Sequence, residues 1–222
     1  MRMDTKKITV LAMITAIAFV LAAFVRFPVV PAVAFLRYDP KDIVIAIAGF
    51  IYGPGAALLV TVVVSTIQMF TTSQTGIIGW VMNVIASTAF CCTAALIYKK
   101  NRTLKGAVYG LSAGLVLATA VMMAWNYLIT PIFMGVPREV VVRLLLPGFL
   151  PFNLISNGLN AALTILLYKH VKKALQAANM LPPADDSQVP AQSAKINTGT
   201  IVVAAFVVVS CILWVLVLQG VI

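Results

Sequence analysis

The chain has 222 residues, of which 62% are hydrophobic and only 10% charged. Mean hydropathy is +1.04, and uncharged runs of about 20 residues recur, each long enough to cross a hydrocarbon core of roughly 30 Å as a helix; this excludes a soluble domain and indicates an all-α polytopic membrane protein. The net charge of +10 does not call for nucleic acid, because the basic residues fall at helix ends, as positive-inside topology requires.

A first helix is expected over about Ile8–Val25. It is long for a signal h-region and no small-x-small cleavage site follows before Arg26, so it reads as a retained helix. A loop rich in Pro and aromatics follows, "RFPVVPAVAFLRYDPKD". From Ile43 to Tyr98 the chain is uncharged, which is too long for one helix. "GPG" at Gly53–Gly55 and "TTSQTG" at Thr71–Gly76 break it. The expectation is a short second helix (about Asp42–Tyr52), a third (about Pro54–Phe70) and a fourth (about Ile77–Tyr98). The second, at 1.5 Å per residue, reaches only about 16 Å; it must pack inside the bundle as a half-helix or be extended by the preceding loop. A fifth helix runs over about Gly106–Thr130 and stops at Pro131, and a sixth over about Pro151–His170. Residues 131–150 read as a second long loop. Residues 179–199 form a polar, Pro-containing linker, and Ile201–Leu218 makes a seventh helix. The domain reading is therefore a six-helix membrane domain over 1–178, the linker, and an additional transmembrane helix over 200–222.

Eleven of the sixteen Lys and Arg residues, Arg2, Lys6, Lys7, Lys99, Lys100, Arg102, Lys105, Lys169, Lys172, Lys173 and Lys195, fall on one side of this topology. The other side holds Arg26, Arg37, Lys41, Arg138 and Arg143. The bias puts the N-terminus in the cytoplasm and both long loops outside.

The chemistry that is missing narrows the function. There is no G-x-x-x-x-G-K-[ST] motif, so no P-loop ATP hydrolysis is expected. No Asp or Glu falls inside an apolar helix core, so no proton or sodium carrier stands out. His170, the one histidine, lies at a helix end among lysines. Cys91, Cys92 and Cys211 sit in apolar runs and have neither disulfide nor metal spacing. No paired carboxylates or nucleophile–base pair are present, which argues against an enzyme, and no cofactor or metal is implied.

The amides stand out instead. In "PFNLISNGLN", Asn153, Asn157 and Asn160 share one helical face, with Ser156 beside them. Asn83 begins the fourth helix and Asn126 ends the fifth, so in this topology Asn83, Asn126 and Asn153 converge toward the outer half of the membrane. Amides also glue transmembrane helices together, at about 0.6 kcal/mol and up to roughly 2; that role is expected of the deeper Asn157 and Asn160. For Asn83, Asn126 and Asn153, with Trp80, Trp125, Tyr127 and Phe152 nearby, a small-molecule pocket is expected. Neutral amides suit a neutral ligand with imide-like edges, whereas a strongly anionic one would call for arginines. On the first helix, Ala12 with Ala16 and Ala18 with Ala22 repeat a small-xxx-small spacing that allows close helix approach, within this chain or to a partner.

These features together resemble the substrate-binding S components of energy-coupling factor (ECF) vitamin transporters, and the riboflavin-specific ones in particular. The resemblance spans about residues 8–173. It rests on "FLRYDPKDIVIAIAGFIYGPGAAL" (Phe35–Leu58), "TGIIGWVMNVIAS" (Thr75–Ser87), "WNYLITPIF" (Trp125–Phe133) and "PFNLISN" (Pro151–Asn157). It implies six helices that bind the vitamin near the outer face under the first external loop. Phe35, Leu36 and Tyr38 of that loop are then candidate ligand contacts, and Asn126 and Asn153 match amides that bind the flavin ring. A transmembrane coupling subunit and two ATPases would supply energy, with Ala12 and Ala16 matching the small-residue face that meets the coupling subunit. Ser156 departs from the Lys usual in the family, and the seventh helix lies outside the six-helix pattern. An S component for another neutral vitamin or flavin relative, or a stand-alone facilitator, stays open at this point.

Overall fold

In the computed structural model of the protein, described over residues 5–73, 75–177, 198–218 and 220, the described residues are mostly helical. Arg2, Lys195 and residues 178–197 of the polar linker lie outside the described residues. Helix α1 spans Thr5–Phe24, α2 Lys41–Tyr52 and α3 Pro54–Thr71. Helices α4 (Gly76–Ser87) and α5 (Thr93–Lys100) are joined through a π-helical turn, Thr88–Cys92. Then come α6 (Leu104–Leu128), the short α7 (Thr130–Met134) and α8 (Arg138–Leu144), a second π turn (Leu145–Phe149), α9 (Leu150–Ala177) and α10 (Thr198–Leu218). Among the described residues six helical runs are long and apolar enough to cross a membrane, the last being Ile201–Leu218.

Helix α2 is too short to span, and it forms the centre of the bundle. It packs against α1, α3, α5 and α9, and Ile45, Ala46, Ile47 and Ala48 are buried. Its start is set by Asp39, whose Oδ1 accepts from the Lys41 backbone N–H at 3.0 Å. Its end is set by Gly53 at φ 91°, a left-handed conformation that glycine adopts without a Cβ clash. Helices α5 and α6 approach so closely that a Cβ on Gly110 would stand 2.7 Å from the Ala94 carbonyl oxygen. Backbone contact of this kind is how small residues bring membrane helices together.

Residues 131–150, expected as a loop, are mostly helical. Arg138, Glu139 and Arg143 interrupt the apolar run and so mimic a loop in the sequence. In the structure they mark an amphipathic turn whose apolar side chain Val141 is buried. Pro147 falls in the π turn, where the regular i→i−4 ladder is already interrupted and a missing N–H matters less.

Among the described residues, the loop between α1 and α2 is the longest stretch without α-helix. Phe27–Pro28 pairs antiparallel with Arg37–Tyr38, and a single 3₁₀ turn, Pro31–Val33, lies between. Val29, Val30 and Val33 are buried together with Val141, Phe149 and Ile155. A Cβ on Gly148 would stand 2.7 Å from Val33 Cγ1, so the loop sits directly on the α8–α9 junction.

The added helix α10 packs along α9. Ala204 and Cys211 are buried, with Val207, Val208, Val215 and Leu218 partly covered beside Ile155 and Leu159.

Candidate functional site

A cavity of about 420 Å³ lies beneath this loop. Four elements supply most of its wall. From α9 come Phe152, Asn153, Ser156, Asn157 and Asn160; from α6, Met122, Trp125 and Asn126; from α4, Gly79, Met82 and Asn83. Phe35 and Leu36 close it from the loop. Phe35 is held edge-on against Phe149, ring centroids 6.0 Å apart. The spacing of the α9 residues, i, i+3, i+4 and i+7, makes one polar stripe on a helix whose other flank meets α10.

The amides are held by their own helices. Asn153 Nδ2 donates to the Phe149 carbonyl at 2.8 Å, which fixes the amide plane and presents its Oδ1. Asn126 Nδ2 donates to the Met122 carbonyl at 2.7 Å, and its Oδ1 accepts from Thr130 Oγ1 at 2.8 Å. Asn83 Nδ2 donates to the Gly79 carbonyl at 3.0 Å. Ser156 Oγ is buried with no hydrogen-bond partner among the described residues. A buried hydroxyl left unpaired is unfavourable by about 1–3 kcal/mol, so this one is poised for a polar group inside the cavity.

Asn157 and Asn160 line the same cavity, and Asn160 does more than pack. The Tyr38 hydroxyl donates to Asn160 Oδ1 at 2.9 Å, tying the loop to α9. Tyr38 thus acts one layer behind the lining, its ring tilted against Phe27 with centroids 5.4 Å apart. Trp80 and Tyr127 are not brought to the cavity. Each follows a lining residue by one position, a rotation of about 100° on a helix. Trp80 Nε1 donates to Thr66 Oγ1 of α3 at 3.1 Å. Tyr127 is 40% exposed and lies under the Arg138 guanidinium, 5.1 Å from its ring centroid.

Sequence reasoning passed over the charged groups at this end. Arg26, Arg37, Asp39, Lys41 and Asp42 all line the cavity. Lys41 is 2% exposed; its Nζ donates to Asp39 Oδ2 at 2.9 Å and to Asn83 Oδ1 at 3.1 Å. Gln68 Nε2 also donates to Asp39 Oδ2, at 3.0 Å, and Arg26 stands 3.9 Å from the same oxygen. Burial by itself would raise the Asp39 carboxyl; the Lys41 ammonium and the hydrogen bonds from Lys41 and Gln68 outweigh it and hold the group below the ordinary carboxylate range. Asp42 accepts from Ser87 Oγ at 2.6 Å inside the bundle. A carboxylate therefore does occur within the packed helices, because the short α2 begins below the loop. The readable signal was "RYDPKD", in which each charge has an opposite partner within three residues.

The whole arrangement is a pocket with aromatic and aliphatic walls, back-bonded amides and a tethered cover. Among the described residues no His, Cys, Asp and Glu group has metal-ligand geometry. Over residues 6–168 the sequence matches the family described as "ECF transporter, substrate-specific component".

The chain belongs to this family. It is a multi-pass membrane subunit that binds the substrate of an ECF transporter, works with an energy-coupling module, and is not an enzyme. Similar proteins include "Riboflavin transporter FmnP" of Bacillus subtilis (strain 168), 31% identical over 179 residues that cover 77% of this chain and 94% of that one. "Riboflavin transporter RibU" of Staphylococcus aureus (strain TCH60) is 29% identical, covering 78% and 94%. "Riboflavin transporter RibU" of Streptococcus thermophilus (strain ATCC BAA-250 / LMG 18311) is 26% identical, covering 78% and 85%. A solved structure described as "Structure and mechanism of the S component of a bacterial ECF transporter" superposes with a TM-score of 0.67 at 29% identity, over 78% of this chain and 99% of that one. The S-component fold is thus shared, and α10 is carried in addition to it.

Proposed function

We propose that this S component binds riboflavin in the cavity under the loop and delivers it to a coupling subunit and its ATPases. The N-terminus lies in the cytoplasm and the loop on the outer face. The observation that carries a polar ligand is the unpartnered Ser156 Oγ beside Asn153, facing the Asn126 wall. The relatives' names support riboflavin as that ligand. Asn83, Asn126, Asn153 and Ser156 would read its polar edges, while Phe152, Trp125, Phe35 and Leu36 sandwich its rings. Ala12 and Ala16 are exposed on α1, whereas Ala18 and Ala22 are buried; this supports the first pair as the face that meets the coupling subunit. Residues 1–178 form the binding domain, with 179–199 as linker and 200–222 as an accessory span.

Titrating purified protein with riboflavin and following the quenching of flavin fluorescence tests the reading. Saturable binding near 1:1 is expected. Folded protein that shows no saturable quenching at micromolar flavin would overturn it. A flavin relative with an anionic group is the second reading. It is favoured by Arg26, whose buried Nε has no hydrogen-bond partner among the described residues, and by exposed Arg37 beside it. Competition between riboflavin and its 5′-phosphate ranks the two.

A further inference from the structure

A second cavity, of about 400 Å³, lies at the opposite end of α2, where α1 begins and α5 ends. Since α2 starts at one cavity and ends at the other, about 18 Å of packed helix separates them. Lys7, Lys99 and Arg102 line the second cavity, and among the described residues no Asp or Glu does. Lys7 is steered over the Tyr52 ring, 5.6 Å from its centroid. Phe50 and Tyr98 line the interior, their rings 4.5 Å apart, and Tyr98 is fixed through a 2.9 Å hydrogen bond to Tyr168. Leu11 and Leu59 form an apolar wall from α1 and α3. The space exists because Gly53 and Gly55 carry no side chain: a Cβ on either would meet nothing within 4 Å.

Three cations with no Asp or Glu beside them among the described lining residues select an anion. The aliphatic wall one turn deeper selects something with a hydrocarbon portion. We infer that this cavity is a headgroup site for one anionic phospholipid of the adjoining leaflet, its phosphate among Lys7, Lys99 and Arg102 and its chains leaving along Leu11 and Leu59. Basic clefts between membrane helices bind anionic headgroups on these terms. Isolated lysines at a helix end would instead snorkel singly into the interface. The site is independent of the vitamin cavity and stands whichever substrate that cavity takes.

The full chain is compared in nanodiscs of phosphatidylcholine and of phosphatidylcholine doped with phosphatidylglycerol. Native mass spectrometry should retain one phosphatidylglycerol per protein, and the melting temperature should rise by about 5 °C with the doped lipid. The combined Lys7→Gln, Lys99→Gln and Arg102→Gln variant should lose both effects. Lys100→Gln, Lys105→Gln and Lys173→Gln together, the same change in charge outside the cavity, should keep them. Gly55→Leu, at a helical φ, fills the space without altering charge and should also lose them; if it does not fold, the charge variants decide alone. Equal stabilisation by phosphatidylcholine, equal loss in the control variant, or the same shift with inorganic phosphate alone would overturn the inference. So would lipid retention by the cavity variants together with failed assembly with the coupling subunit, which would make the cavity a protein contact.

Discussion

Replacing Tyr38 with Phe removes one hydroxyl from the interior and nothing else from the loop. That hydroxyl donates to Asn160 Oδ1 at 2.9 Å, and the two residues are 4% and 2% exposed. Without it, Asn160 is left with a buried acceptor lacking its donor, which is unfavourable by about 1–3 kcal/mol. The tilted ring contact with Phe27 and the burial of Val29, Val30 and Val33 are untouched, so the loop still forms but opens more often. If the loop must open before ligand leaves, riboflavin dissociation should accelerate roughly five- to 150-fold. Stopped-flow recovery of flavin fluorescence after dilution reads this directly. Asn160→Ala should accelerate release as well. The double variant should be less than additive, because the two changes remove the same bond. Unchanged dissociation in Tyr38→Phe, or strictly additive effects, would refute the claim that this bond holds the cover shut.

Asn153→Ala should weaken riboflavin binding by a similar factor through equilibrium affinity, and Ser156→Lys, which installs the residue that the family resemblance leads one to expect there, should hold or raise it; both are read by fluorescence titration. Ala12→Trp and Ala16→Trp should abolish uptake in cells carrying the coupling module while purified protein still binds ligand, and parallel loss of both activities would show that the face packs internally. Asp39 is held below the ordinary carboxylate value, so its contribution to loop closure is fully present above that value and fades only as pH falls through the lowered one. Binding measured from neutral pH down to about 5 should therefore stay flat, and Asp39→Asn should weaken it across that whole range by stranding buried Lys41.

Helix boundaries were legible at the breakers Gly53–Gly55 and Thr71–Gly76, but not at Pro147 and Pro151, which lie within a helical run. The short α2 is bracketed by Asp39–Pro40 and Gly53–Pro54; its length left enclosure in the bundle or extension by the preceding loop, and the structure has it enclosed. The 131–150 segment was not legible, because charges at Arg138, Glu139 and Arg143 look alike in a loop and on the outer face of a helical turn. Asn83, Asn126 and Asn153 stood out because polar groups are rare in this composition, whereas Asn157 and Asn160, expected as helix glue, line the same cavity. Trp80 and Tyr127 were misplaced because proximity in sequence does not specify direction: one position along a helix turns the side chain by about 100°. The buried Lys41–Asp39–Gln68 cluster depends on contacts across 29 positions of chain, and no local pattern encodes those.

Helix α10 marks the limit of pattern reading from the other side. Its span has a hydropathy of 3.2, so no polar face reports its orientation; only packing distinguishes Ala204 and Cys211 from exposed Phe206 and Val217. Where it packs has a consequence for the site. Ser156, Asn157 and Asn160 occupy one flank of α9 and Ile155 and Leu159 another, and α10 covers the second. A Cβ on Gly158 would lie 3.6 Å from Cys211 Sγ, an ordinary contact distance, so the helices meet without gap or clash. The six-helix pattern would leave this flank of α9 to lipid, a solvent as apolar as the side chains it replaces. Burial against α10 therefore adds little hydrophobic driving force; what it adds is close packing of side chains. Close packing restricts rotamers and backbone shifts, and here it does so directly behind the wall that carries the amides.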